Sequence, residues 1–173
     1  MICHETGLLV KPSYGRFVYY KLLTLVPLGT ALLAIFRYAD SIVWPLVYIG
    51  VCLGHVFLVY TNKCPHCGYY HLEGRQHRCS WLWHIPKLVK PKPGPQGRFI
   101  SIYIPVGILI FILFPIYWLR FEWELLVIFL LSVAGLLATV LTHECRSCIS
   151  FHCSNNQVPE KIREKFKEIH SSR

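Results

Sequence analysis

The chain has 173 residues, 54% of them hydrophobic, and a formal net charge of +9; its mean hydropathy is +0.42. A soluble domain of this length cannot hide apolar runs of such extent, which points to an integral membrane protein. The basic residues lie beside those runs, which argues against nucleic acid as the partner and for membrane lipid.

In chain order, Met1–Lys21 carries no small-residue cleavage pattern, so the first apolar run is expected to be a retained span and not a signal peptide. Four segments are free of Asp, Glu, Lys and Arg: Leu22–Phe36, Ser41–Thr61, Phe99–Leu119 and Leu125–Thr142. A spanning helix needs about 20 such residues, and the first run approaches that length if Phe17–Tyr20 lie inside the boundary. Tyr19, Tyr20, Trp44, Tyr60, Trp118 and Trp123 cluster at the ends, as interfacial anchors do. Two short turns, Arg37–Asp40 and Arg120–Glu124, hold only two basic residues and leave sixteen of eighteen for the other side. The positive-inside rule therefore places both termini and the 61–98 loop in the cytoplasm of a multi-pass protein of the cell (inner or plasma) membrane.

The end of the second run reads Cys64-Pro65-His66-Cys67 with His71 after it, a C-x2-C-x3-H spacing. The end of the fourth run reads Cys145-Arg146-Ser147-Cys148 with His152 after it, the same spacing, and Cys153 follows. Thiolate and imidazole at such intervals are what Zn²⁺ or an iron–sulfur cluster requires. Seven of the eight cysteines fall on the expected cytoplasmic side, where disulfides are disfavoured and metal binding is the commoner use.

These motifs belong to a larger repetition. Val26-Pro27-Leu28-Gly29 recurs as Ile104-Pro105-Val106-Gly107, Arg37-Tyr38 as Arg120-Phe121, and Cys64, Cys67 and His71 as Cys145, Cys148 and His152. The expected fold is all-α: four transmembrane helices in two tandem, pseudo-repeated hairpins with cytoplasmic Cys/His metal-binding loops. Residues 1–85 form the first hairpin with its motif, 86–98 a proline-rich linker, 99–157 the second hairpin with its motif, and 158–173 a basic amphipathic tail. Gly50-x3-Gly54 has the small-residue spacing that lets membrane helices approach closely. Ser80–Lys90 mixes tryptophan, leucine and lysine and is expected at the lipid surface.

The segment Cys64-Pro65-His66-Cys67-Gly68 resembles the knuckle of zinc ribbons and rubredoxin-like sites, C-P-x-C-G, over these five residues. The second copy, Cys145 to Ile149, lacks the Pro and the Gly. Two ligand groupings are open. Cys64, Cys67, Cys145 and Cys148 form one four-thiolate site, or each half makes its own. In the second case Cys64, Cys67 and Cys79 join His71 or His77, while Cys145, Cys148 and Cys153 join His152 or His143. Either satisfies a tetrahedral ion, and a shell closed by four protein ligands favours a structural role.

His55 is the one histidine deep in a span, with Cys52 three positions earlier on the same face; the pair is a candidate site for a haem or a quinone. The leading functional expectation is a metal-stabilised, zinc-bearing subunit that scaffolds or docks other subunits of a membrane complex. The spans contain no Asp, Glu, Lys or Arg, and no nucleotide-binding motif is present, so independent catalysis has little support. Competing readings are a membrane redox protein, with iron–sulfur or thiol/quinone electron transfer, and a metal transport or delivery protein.

Overall fold

The computed structural model describes residues 6–9, 12–71, 74–92, 94–151, 153 and 155–171. Four long helices dominate it: α1 (Tyr14–Tyr38), α2 (Val43–Asn62), α3 (Arg98–Leu119) and α4 (Trp123–Thr139). With the turns that prolong α2 and α4, the continuous helical stretches run 22 to 25 residues. At about 1.5 Å per residue each is long enough to cross a hydrocarbon core of about 30 Å. Only 11–28% of each apolar window is buried inside the molecule, so most of this surface faces outward, where lipid can cover it. These properties fit a multi-pass membrane protein.

The expected spans coincide with the helices, and α1 begins earlier than the uncharged run. Ser13 caps it, accepting the Arg16 N–H at 3.4 Å. Arg16 and Lys21 then lie within the helix but near its end, where long cationic side chains reach out of the apolar layer.

The core of the bundle contains Ala31, Ala34 and Ile35 of α1, Tyr48 of α2, Trp118 and Leu119 of α3, and Phe129 and Val133 of α4. The alanines allow close approach, and α1 packs most extensively against α4 and α3, with less against α2. The Tyr48 ring stacks on Phe111 and Phe114 at 5.9 and 5.4 Å between centroids. Gly50 and Gly54 meet nothing within 4 Å, so their small-residue face is not used for packing within this chain.

The loop after α2 adds a feature beyond the all-α expectation. Strands β1 (Gln76–Arg78) and β2 (Trp83–Pro86) pair antiparallel, with a register irregularity between His77 and Arg78. This hairpin carries most of the tryptophan-rich segment and leans on the start of α1. Trp81 stacks on Tyr20 at 5.3 Å and Trp83 meets Tyr14 edge-on at 5.8 Å. Two tyrosines then hold the strand exit. The Tyr60 hydroxyl donates to the Pro86 carbonyl and accepts the Leu88 N–H at 3.2 Å. The Tyr70 hydroxyl donates to the Val89 carbonyl at 2.7 Å and accepts the Val89 N–H at 3.3 Å.

Between the end of β2 and the start of α3 at Arg98, the proline-rich linker has no helix among its described residues. It stays against the first Cys motif through Lys92 N–H to the Pro65 carbonyl at 2.9 Å. At the other end of the chain, α4 continues through a π-helical turn (Val140–Glu144) into the single turn α5 (Cys145–Ser147). The tail helix α6 (Glu160–Ser171) folds back so that Phe166 meets Phe151 edge-on at 5.7 Å.

Candidate metal centre

Both Cys-x2-Cys motifs terminate a helix, and both turn the chain in the same way. Cys64–His66 form a 3-10 turn, the Cys67 N–H bonds the Cys64 carbonyl at 2.9 Å, and the backbone then extends at Cys67 (φ −81°, ψ 136°). Cys148 adopts φ −84° and ψ 130° at the end of α5. The second motif thus reaches the same conformation at its second cysteine without the Pro or the Gly.

That turn points backbone donors at sulfur. The Cys67 Sγ accepts the N–H of Tyr69, two residues on. The Cys148 Sγ accepts the N–H of Ser150, again two residues on, at 3.4 Å. Cys79 does the same in the hairpin loop, accepting from Trp81 and, at 3.2 Å, from Leu82. Such N–H···S bonds favour the thiolate over the thiol.

Burial opposes them. It pushes the Cys67 thiol up, with the neighbouring Cys153 adding to the effect. It raises Cys79 to about 11 and Cys148 to about 12, the latter with further contributions from Cys67, Cys153 and Cys145. Half-buried thiols with amide donors already aimed at them are chemically suited to a cation, which would replace their protons.

The two motifs meet. A Cβ on Gly68 would lie 3.2 Å from the Ile149 carbonyl oxygen, so the absence of a side chain is what permits this approach. The Gly68 N–H bonds the Ser150 hydroxyl at 3.3 Å. Cys64, Cys67 and Cys79 influence one another electrostatically, as do Cys67, Cys148 and Cys153, and Cys145 with Cys148 and Cys153. Six cysteines of the sequence-derived set therefore gather at one end of the bundle.

Among the described residues, however, no three Cys, His, Asp or Glu side chains are placed to hold one ion together. The histidines explain part of this. His71 Nε2 contacts the Pro65 carbonyl at 3.1 Å. His77 is buried beside Tyr70, with 5.0 Å between ring centroids. Burial, with Lys87 adding to it, lowers its pKa to about 4, and neither ring nitrogen has a hydrogen-bond partner. His143 lines a separate cavity of about 300 Å³ with Arg16, Tyr20 and Glu144. His152 lies outside the described residues.

Cys52 and His55 stand apart, His55 being nine positions before Cys64, or roughly 13 Å along a helix axis. Cys52 packs on the bundle core. The His55 ring stacks with Tyr103 at 5.4 Å and presses on Gly107, where a Cβ would fall 2.2 Å from Nδ1. That nitrogen is buried without a hydrogen-bond partner.

Two contributors escape a reading of the sequence. Leu8 and Leu9 are buried, and the Leu9 N–H bonds the Ser147 carbonyl at 2.8 Å, beside an isolated parallel bridge to Cys148. The Tyr69 hydroxyl donates to the Leu9 carbonyl at 2.8 Å, so the N-terminal segment laces both Cys motifs together. The Leu-Leu pair in a polar tail was the available signal. The second contributor is Glu144, which receives Arg16 at 3.2 Å and the Ser80 hydroxyl at 2.9 Å.

No known protein family, curated protein or solved structure matches this chain.

Proposed function

We propose that the chain is a small, zinc-stabilised integral membrane subunit whose paired Cys motifs form a rigid cytoplasmic platform for other subunits of a membrane complex. The observation that carries this reading is the matched geometry of the two motifs. Cys67 and Cys148 share a backbone conformation, each with an amide donor from two residues on, and the motifs abut at Gly68 and Ile149. Zinc at such sites orders loops that have little apolar material of their own. The distribution of basic residues supports a cytoplasmic position for them.

The halves are two pseudo-repeated hairpins about an axis along the bundle. Contacts between positions equivalent in the repeat support this, since a residue touches its own equivalent only near a two-fold axis. Gly68 meets Ile149 at one end of the bundle, and Tyr38 meets Phe121 at the other, with 5.6 Å between ring centroids. Zinc clamping the two motifs would fix the halves against each other, leaving the outward apolar surface for lipid and neighbouring subunits.

The Cys64→Ser/Cys67→Ser double variant tests the proposal when the protein is extracted from its native membrane. The expected outcome is loss of bound metal together with loss of the co-migrating complex on native electrophoresis. Full metal occupancy in that variant would defeat the site, and an intact complex without metal would defeat the platform.

A further inference from the structure

At the end of the bundle away from the cysteines, the turns border an open pocket of about 480 Å³ lined by Tyr38, Asp40, Trp44, Tyr117, Trp118 and Phe121, with Ala39 between. We propose that this pocket binds an organic ammonium group, through the faces of its aromatic rings and the carboxylate of Asp40.

The composition of the walls selects the ligand. Aromatic faces carry partial negative charge and attract cations, most strongly when these are weakly hydrated and alkylated. Trp44 and Trp118 stand 5.5 Å apart at 53°, so their indole faces diverge and do not cover each other.

Two guanidinium groups lie nearby, and Arg120 leaves an added cation only the Trp44, Trp118 and Asp40 side of the pocket. Arg37 is taken up by Glu122 at 2.8 Å. Arg120 lies over Tyr117 and Phe121 at 4.3 and 4.9 Å from their centroids, so these rings already receive a cation from one side. Asp40 is the one acidic residue of the lining and forms no ion pair among the described residues. The volume lies within the range of small-molecule sites. The pocket also sits at the end of the apolar helices, where the headgroups of a bilayer spanned by them would lie. The ammonium of a zwitterionic phospholipid and a free organic ammonium ion share the required chemistry.

Radiolabelled choline is the probe, with full-length protein in phosphatidylglycerol nanodiscs and empty discs as the blank. Saturable binding is expected, weakened about tenfold, or ~1.4 kcal/mol, by Asp40→Asn and by Trp44→Ala. Asp40 is exposed, so Asp40→Asn leaves the bundle core untouched; Trp44 rests on Trp118, so thermal unfolding of Trp44→Ala accompanies its binding assay, and Asp40→Glu is expected to retain binding. Replacing the disc lipid with phosphatidylcholine separates the sources: loss of choline binding assigns the site to a lipid headgroup, and unchanged binding to a free ion. Absence of saturable binding in phosphatidylglycerol discs, or wild-type binding by both Asp40→Asn and Trp44→Ala, would overturn the proposal.

Discussion

His55 and Gly107 form a matched pair across α2 and α3, and the match is steric. A methyl group on Gly107 would overlap the Nδ1–Cε1 edge of the imidazole ring, which would have to leave its stack on Tyr103 for the apolar layer. Gly107→Ala is expected to lower stability by about 1–3 kcal/mol, the usual cost of overpacking. The added substitution His55→Ala should recover most of that loss. Thermal unfolding in detergent of the single and double variants checks this, and equal destabilisation in both would show that the ring is not the obstacle. His55 was legible as an intramembrane polar residue. Its seat was not, because Gly107 is more than fifty positions away and only packing brings the two together. Cys67 and Cys148 show the opposite case: the interval between cysteines announced the turn. At Cys148 a backbone extended by its surroundings replaces what Gly68 supplies in the first copy.

At the scale of elements, continuous apolar runs located four helices because membrane-length hydrophobicity is a property of the local sequence. The hairpin of β1 and β2 left a weaker trace. Its strands have three and four residues with an irregular register, and tyrosines from α2 and the knuckle region hold its exit. The π-helical turn before α5 was also invisible to periodicity, though it inserts an extra residue per turn just before the second Cys motif. Glu144, the last residue of that turn, joins α1 through Arg16 to the loop through Ser80. Glu144→Gln keeps the shape and removes the charge. It is expected to cost about 1–2 kcal/mol, at the lower end for charged hydrogen bonds because Arg16 retains solvent contact. Arg16→Ala in the same background should add little, since the two act through one interaction. Full additivity in a double-mutant cycle would contradict the link.

For the whole molecule, composition pointed to a membrane protein, and the structure has four helices long and apolar enough to cross one; the repeated motifs follow two of these helices, and they meet at one end of the bundle. The extensive packing of α1 on α4 depends on alanines of α1 meeting Phe129 and Val133, a match between distant segments that no local pattern announces. The N-terminal lacing by Leu9 likewise required three dimensions. What unites these features is a cluster of buried and half-buried thiols with amide donors directed at three of them, which is the basis of the proposed zinc site. The most direct measurement is elemental analysis, with a visible absorption spectrum, of the protein purified from its native membrane. Stoichiometric zinc in a colourless sample is the expected result; a chain free of metal, or one whose spectrum shows an iron–sulfur or haem chromophore, would contradict it.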